Sequence, residues 1–217
     1  MLWQYKSPRR IHGRGLTYWK GNGTVGPRVY FATKQGYLVG LDLKTGELAA
    51  NFGKNGEVDV YAGVASAEVG EKSRETFTLP NPLTVYKNLL ISGARPGEGP
   101  PPQPRGDIRA WDAITGKLVW SFHTIPWPGE PGHEDWTGDT WKDRSGCNVW
   151  SNLTADESTG PRVRIDRRIQ SRGHLAGQES VLQFDHCARR CDRKTEVVST
   201  SWSITTCGTS TCRRRRS

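Results

Sequence analysis

A short phrase that occurs twice limits what this chain can fold into. Residues 42–52 read DLKTGELAANF and residues 112–122 read DAITGKLVWSF. Both run Asp-x-x-Thr-Gly-(Glu/Lys)-Leu and reach a large aromatic within a few residues. A strand-like run precedes each, Tyr37–Asp42 and Asp107–Asp112. A strand, a tight Asp…Thr-Gly turn and a second strand make a β-hairpin. Hairpins in series, each too small to bury its own apolar face, point to a repeat architecture.

The rest of the body agrees. Arg28–Thr33 and Gly36–Asp42 read as a strand pair, followed by the turn and a strand over Leu48–Phe52. Leu83–Ser92, Asp107–Asp112, the second turn and Leu118–Phe122 repeat that order. Helical periodicity is scarcely visible, and short β-rich runs punctuated by Gly and Pro dominate. The expected class is therefore all-β. Gly53–Asn81 and Arg95–Arg105 read as inserted loops, the second too rich in proline for a central strand. Loops of that length inside a compact fold are more often functional than idle. Gly21-Asn-Gly-Thr-Val-Gly26 matches G-x-G-x-x-G, but a strand-like run follows it where a dinucleotide site needs a helix, so a hairpin loop is expected. Asn22-Gly-Thr24 and Asn152-Leu-Thr154 fit the glycosylation sequon, a match frequent by chance.

Composition breaks near Gly160. Residues 1–160 carry 18 Lys+Arg and 17 Asp+Glu, a net of +1, whereas residues 161–217 carry 13 and 5, a net of +8. Eight of the nine Trp and all six Tyr precede the break, while four of the five Cys follow it. The basic balance thus belongs to the last quarter and gives the body no nucleic-acid character. No apolar run is long enough to span a membrane, and MLWQYKSPRRIHGRG has no apolar core of a signal peptide. The expected domains are a repeat body over 1–160 and a disordered basic tail over 161–217.

Ala110-Trp-Asp-Ala-Ile-Thr-Gly-Lys-Leu-Val-Trp120 fits the pattern A-x-D-x-x-T-G-K-x-x-W at every defined position. With Arg14-Gly-Leu-Thr-Tyr-Trp19, Phe52–Asp59, Phe122-His-Thr-Ile-Pro126, Trp136–Lys142 and Gly146-Cys-Asn-Val-Trp150, the body resembles the pyrroloquinoline-quinone (PQQ) dependent dehydrogenases, on the sugar and alcohol side of that family. The resemblance covers about residues 1–160. It implies an eight-bladed β-propeller, of which this chain would hold about two blades, opening inside one at Leu2–Tyr5. It implies PQQ and Ca²⁺ as cofactors, a sugar or alcohol substrate, a respiratory electron acceptor and a periplasmic location.

The same resemblance assigns residues. Arg14 matches the arginine that contacts a PQQ carboxylate, and Trp150 the tryptophan that floors the ring. Glu98 is the candidate metal ligand, although the spacing around it departs from the family. Trp120 is implied as inter-blade packing, and His123 and His133 as loop positions near the cofactor entrance with no catalytic part. Each cofactor assignment has a plain counterpart: Arg14 and Glu98 as solvated charges, Trp150 as a blade-docking indole. A scaffold propeller that only binds proteins would use the same repeat.

After Gly160 the family should continue with an Asn metal ligand, a third Thr-Gly repeat and a segment like HHDLWDYD bearing the catalytic Asp. None is present. Cys187, Cys191, Cys207 and Cys212 could be zinc ligands, yet no knuckle pattern surrounds them. Back-translation offers another account. Dropping the first base of each codon over Glu179–Val198 allows NLYSNSIIALDAATGKRKWY, which contains the missing repeat. Ser201–Cys212 in the other displaced frame allows LVHHDLWDFDLP, the missing catalytic segment. These imply frameshifted translation from about Thr159–Arg162, with a second slip near Val198–Ser201. They imply too that the tail's zinc and nucleic-acid readings lack a basis, and that this chain is inactive.

Overall fold

The computed structural model describes residues 2–12, 14–64, 69–97, 102–130, 133–136, 138–139, 141–142, 148–149 and 152–156, and the strand backbones within 162–206. Among the described residues every regular element is a strand except two short 3₁₀ helices, Glu71–Glu75 and His133–Asp135. The first sheet is the antiparallel meander β1 (Thr17–Trp19), β2 (Arg28–Ala32), β3 (Tyr37–Asp42) and β4 (Glu57–Asp59). The second repeats it with β5 (Thr84–Tyr86), β6 (Leu89–Gly93), β7 (Ile108–Asp112) and β8 (Leu118–Phe122). Four-stranded meanders stacked face to face are propeller blades.

Two local expectations are corrected. Leu83–Ser92 is a hairpin, β5 and β6 joined at Lys87-Asn88, where Lys87 takes a left-handed φ of 51°. Leu48–Phe52 is not the fourth strand: Leu48 makes a lone bridge to Leu41, and β4 resumes the pairing with β3 only at Glu57. The intervening residues bulge out because Phe52 turns inward to full burial against Tyr30, at 5.1 Å between ring centroids.

A third four-stranded sheet joins β9 (Leu153–Asp156) to β10 (Arg162–Ile165), β11 (Ser180–Asp185) and β12 (Trp202–Thr206). The last three of these strands lie in the segment expected to be a disordered tail. Their sequences, RVRI, SVLQFD and WSITT, carry the β-branched and aromatic residues that suit strands in any frame of origin. The four tail cysteines lie outside the described residues.

The recurrent phrase builds the same turn twice. Asp42 accepts backbone N–H bonds from Lys44 and Thr45, and Asp112 from Ile114 and Thr115. Gly46 and Gly116 follow at φ 74° and 70°, where a side chain is disfavoured. Each turn is also a seat for a neighbouring segment. The indole Nε1–H of Trp3 donates to the Leu43 carbonyl at 2.8 Å, and the Trp3 ring lies so close that a Cβ on Gly46 would stand 2.5 Å from it. A chain with Gly46→Ala is expected to lose the Trp3 contact, seen as a red shift in tryptophan emission with little change in the sheet signal.

The second turn is seated differently. The equivalent tryptophan position in the first repeat is Ala50, so no indole can reach the second turn from there. Tyr30 takes over: its hydroxyl donates to the Ala113 carbonyl, the counterpart of Leu43 in the first turn. Burial pushes the Tyr30 phenol up to about 12, so it stays a donor at any working pH. Arg28 donates to the Ala113 and Ile114 carbonyls and to Asn51, and Gly53 N–H donates to Thr115. Tyr30 and Arg28 of β2, with Gly53, thus do at the second turn what Trp3 does at the first.

The core fills the space between the two blades. Trp19, Tyr30, Leu38, Phe52, Phe77, Leu79, Leu90 and Trp111 are fully buried in one cluster. Trp19 Nε1–H donates across the seam to the Lys87 carbonyl at 2.9 Å. In the opposite direction Arg109 of β7 donates to the Val60 and Ala62 carbonyls of the first blade. Its burial holds the guanidinium down at about 10.

The loop over Glu71–Glu75 is clasped by charge. Arg74 makes a bidentate pair with Asp59 at 2.8 and 2.9 Å and a second pair with Glu71. Burial alone would raise the Asp59 carboxyl, but Arg74 and the Tyr61 and Ala62 amides outweigh it and hold it below its ordinary value. A depressed carboxylate adds stability above its unfolded pKa and loses it as pH falls through the folded one. The Thr76 and Phe77 amides are therefore expected to lose hydrogen-exchange protection only as pH falls below the ordinary carboxylate range. Asp59→Asn is expected to remove that protection at neutral pH.

Candidate functional site

The site begins where the chain enters the first blade. Ile11 bridges Thr33, His12 N–H donates to the Ala32 carbonyl at 2.9 Å, and β1 then pairs with β2 from Thr17. Between these two fixed points residues 14–16 arch outside the sheet, and Arg14 stands on that arch, exposed. Thr17 fastens the arch to the second blade. Its hydroxyl donates to the Leu83 carbonyl at 3.1 Å and accepts from the Leu83 N–H at 2.7 Å.

The result is a small cleft at the seam, walled by His12, Arg14 and Gly15 on one side and by Leu79–Leu83 on the other, with Tyr30–Ala32 behind. Arg14 Nη1 donates to Asn81 Oδ1 at 3.2 Å. Asn81 lies between Pro80 and Pro82, so its backbone has little freedom. Gly15, at φ 139°, lets the arch close down: a Cβ there would stand 2.9 Å from Pro82 Cγ.

Charge in the cleft is of one sign. Burial lowers the His12 imidazole pKa, and the cations Arg14, Lys34 and Arg95 lower it further. His12 Nδ1 is buried with no hydrogen-bond partner. Among the residues that line the cleft Arg14 is the charged donor, and a guanidinium suits a carboxylate.

Of the residues the sequence singled out, Arg14 lies in this cleft, whereas Glu98 and Trp150 lie outside the described residues. Their flanks do meet. Gly93, five residues before Glu98, packs so tightly on Val149 that a Cβ would stand 2.5 Å from the Val149 Cβ. Asn148 and Val149, just before Trp150, are buried there. Arg95, three residues before Glu98, directs its charge at His12. Among the described residues no three His, Cys, Asp or Glu side chains converge as a metal site.

His12, Asn81 and Arg95 escaped the sequence reading. The Pro-Asn-Pro run and the His two places before Arg14 were the available signals. His123 and His133 have structural partners. His123 stacks on Trp127 at 4.1 Å and pairs with Glu130, and His133 Nδ1 bonds the Pro126 carbonyl at 3.0 Å.

With the fold and cleft in place, comparison with known proteins is decisive. Residues 1–161 match the family model described as the PQQ glucose/ethanol/alcohol dehydrogenase β-propeller domain. The chain belongs to that family. It is 32% identical over 131 residues to the quinate/shikimate dehydrogenase (quinone) of Acinetobacter baylyi, covering 59% of this chain and 15% of that protein. It is 30% identical over 184 residues to the alcohol dehydrogenase (quinone) dehydrogenase subunit of Gluconobacter oxydans, covering 73% and 22%. The chain thus spans about a fifth of such relatives. A europium-containing methanol dehydrogenase shares the fold, with TM-score 0.51 and 17% identity over 84% of this chain and 41% of that one. No helix among the described residues is long and apolar enough to cross a membrane.

Proposed function

We propose that this chain is the cofactor-facing part of a PQQ-dependent dehydrogenase of a sugar or alcohol hydroxyl, lacking the residues that complete catalysis. The observation that supports the reading is the seam cleft lined by Arg14 of the family-like motif, whose guanidinium bonds Asn81 and keeps further donors free for an anion. When bound, PQQ would supply an ortho-quinone to accept hydride, with Ca²⁺ or a similar ion polarising its reactive carbonyl. Arg14 would hold a carboxylate, Trp150 would lie under the ring and Glu98 would ligate the ion. A respiratory electron acceptor and a periplasmic setting accompany this reading.

The base that removes the hydroxyl proton would belong to the segment that back-translation of Ser201–Cys212 allows in a displaced reading frame. The family match stops at residue 161, inside the Thr159–Arg162 interval where composition changes. That coincidence supports a frameshift as the origin of the tail. The full chain, titrated with PQQ and Ca²⁺, is expected to show weak, reversible retention of PQQ and no dye-linked turnover on a sugar and alcohol panel. Robust turnover would contradict the incomplete-site reading. Absence of any PQQ retention would favour a protein-binding scaffold.

A further inference from the structure

We infer that Asn55 is a self-modification site: the Gly56 amide nitrogen displaces ammonia from its side chain, and water then leaves aspartate or isoaspartate in the turn. The inference does not rest on the proposed function. Lys54 and Glu57 exchange both backbone bonds across this pair, at 2.8 and 3.2 Å, so Asn55-Gly56 is a two-residue hairpin. Asn55 has φ 55° and Gly56 φ 84°, the doubly left-handed backbone of a type I′ turn. A Cβ at position 56 would stand 2.7 Å from the Leu48 Cβ, so the turn takes glycine and the amide beside Asn55 is unhindered. That amide donates to no described residue, and the Asn55 side chain is exposed and bonds none either.

One movement separates this turn from reaction. The ring that forms joins Gly56 N to Asn55 Cγ, and it closes only when that nitrogen eclipses the Asn55 Cβ, at ψ of about −120°. A type II′ turn has that ψ at its first central residue, together with the positive φ that Asn55 already holds. Types I′ and II′ differ by a flip of the peptide plane between residues 55 and 56, and both close the same hairpin. The flip leaves the Lys54–Glu57 bonds in place, and also the bond from Gly40 N–H to the Gly56 carbonyl. Hydroxide takes the Gly56 N–H proton and the nitrogen bonds to Cγ. The Cγ–N bond then breaks, ammonia leaves with a proton from water, and the hydroxide is regenerated. Water opens the imide at either carbonyl. Isoaspartate carries an extra methylene in the main chain, which a two-residue turn absorbs only by breaking the pairing that sets the register of β4. The second Asn-Gly pair, Asn22-Gly23, is placed differently. Asn22 Oδ1 accepts from the Thr24 and Val25 amides at 3.1 and 2.8 Å, and Asn22 lies outside the left-handed region.

The full chain, incubated at mildly alkaline pH both native and in urea, supplies the test. Both pairs are followed by peptide mass, ammonia release and isoaspartyl methyltransferase labelling. In the native chain Asn55 is expected to gain one dalton several-fold faster than Asn22. In urea, where neither turn persists, the two rates are expected to converge. Hydrogen exchange on the converted fraction is expected to show the Glu57 amide unprotected. Asn55→Asp keeps the Asx-Gly turn preference and is expected to abolish the faster ammonia release, leaving the slow Asn22 component. Equal native rates at the two sites, faster conversion at Asn22, or conversion of neither until urea is added would overturn the inference.

Discussion

Trp19→Ala is expected to cost about 3–5 kcal/mol, the usual loss for emptying a buried tryptophan site. Trp19 is 1% exposed, sits at the centre of the inter-blade cluster and spends its indole N–H on the Lys87 carbonyl across the seam. Truncation leaves both a void between sheets and an unpaired carbonyl, and these add. Since a domain of this kind has a net stability of about 5–15 kcal/mol, the loss should unseat the blades from each other. Urea denaturation followed by far-UV dichroism measures it directly. Trp19→Phe separates the two parts: it keeps most of the volume and should recover most of the loss. A cost below about 1 kcal/mol for Trp19→Ala would mean that the seam does not hold the blades.

The second large effect is expected at Gly116. Its φ is 70°, and a Cβ there would stand 2.5 Å from Val58 Cγ2 and 2.8 Å from the Gly53 nitrogen. The Val58 methyl can rotate away, but the Gly53 backbone is fixed by its own bond to Thr115. Gly116→Ala should therefore cost about 2–4 kcal/mol, from left-handed strain together with overpacking of a rigid contact. Gly23 is the control: it also has positive φ, at 92°, yet nothing lies within 4 Å of its Cβ position. Gly23→Ala should cost about 1–2 kcal/mol less than Gly116→Ala, the part owed to the seat alone. Equal costs in the two variants would show that the turn conformation, and not the docking, accounts for the effect.

The repeat was legible in the sequence because its turn is a local device. Asp, Thr and Gly at fixed spacing make the same hydrogen bonds wherever they occur, so Asp42 and Asp112 announced both blades. What docks on each turn was not legible, because that depends on residues distant in sequence. Trp3 and Tyr30 meet equivalent carbonyls from different parts of the chain, and only the folded chain shows that Phe52 turns inward and displaces the fourth strand to Glu57. Site residues divide the same way. Arg14 was found through its motif. His12 and Asn81 have no motif and matter only because the seam brings them together.

The tail shows the opposite limit. Strand-forming composition gave Arg162–Ile165, Ser180–Asp185 and Trp202–Thr206 a place in a third sheet. Composition also marked them as foreign to the body, with 13 basic residues against 5 acidic ones. The basic excess follows if the segment is encoded by a blade's codons read out of phase. Such a stretch would lack the third Thr-Gly turn, the next seat in the series after the one beside Trp120. It would also lack the acidic residue the chemistry needs.

Independent sequencing of the coding DNA from codon 159 to codon 212 tests this most directly. The expected result is a displaced frame that reads a third Asp-x-x-Thr-Gly repeat, followed by a His-His-Asp-Leu-Trp segment. DNA in which no displaced frame reads either motif would contradict it, and would return residues 161–217 to the protein as a segment in their own right.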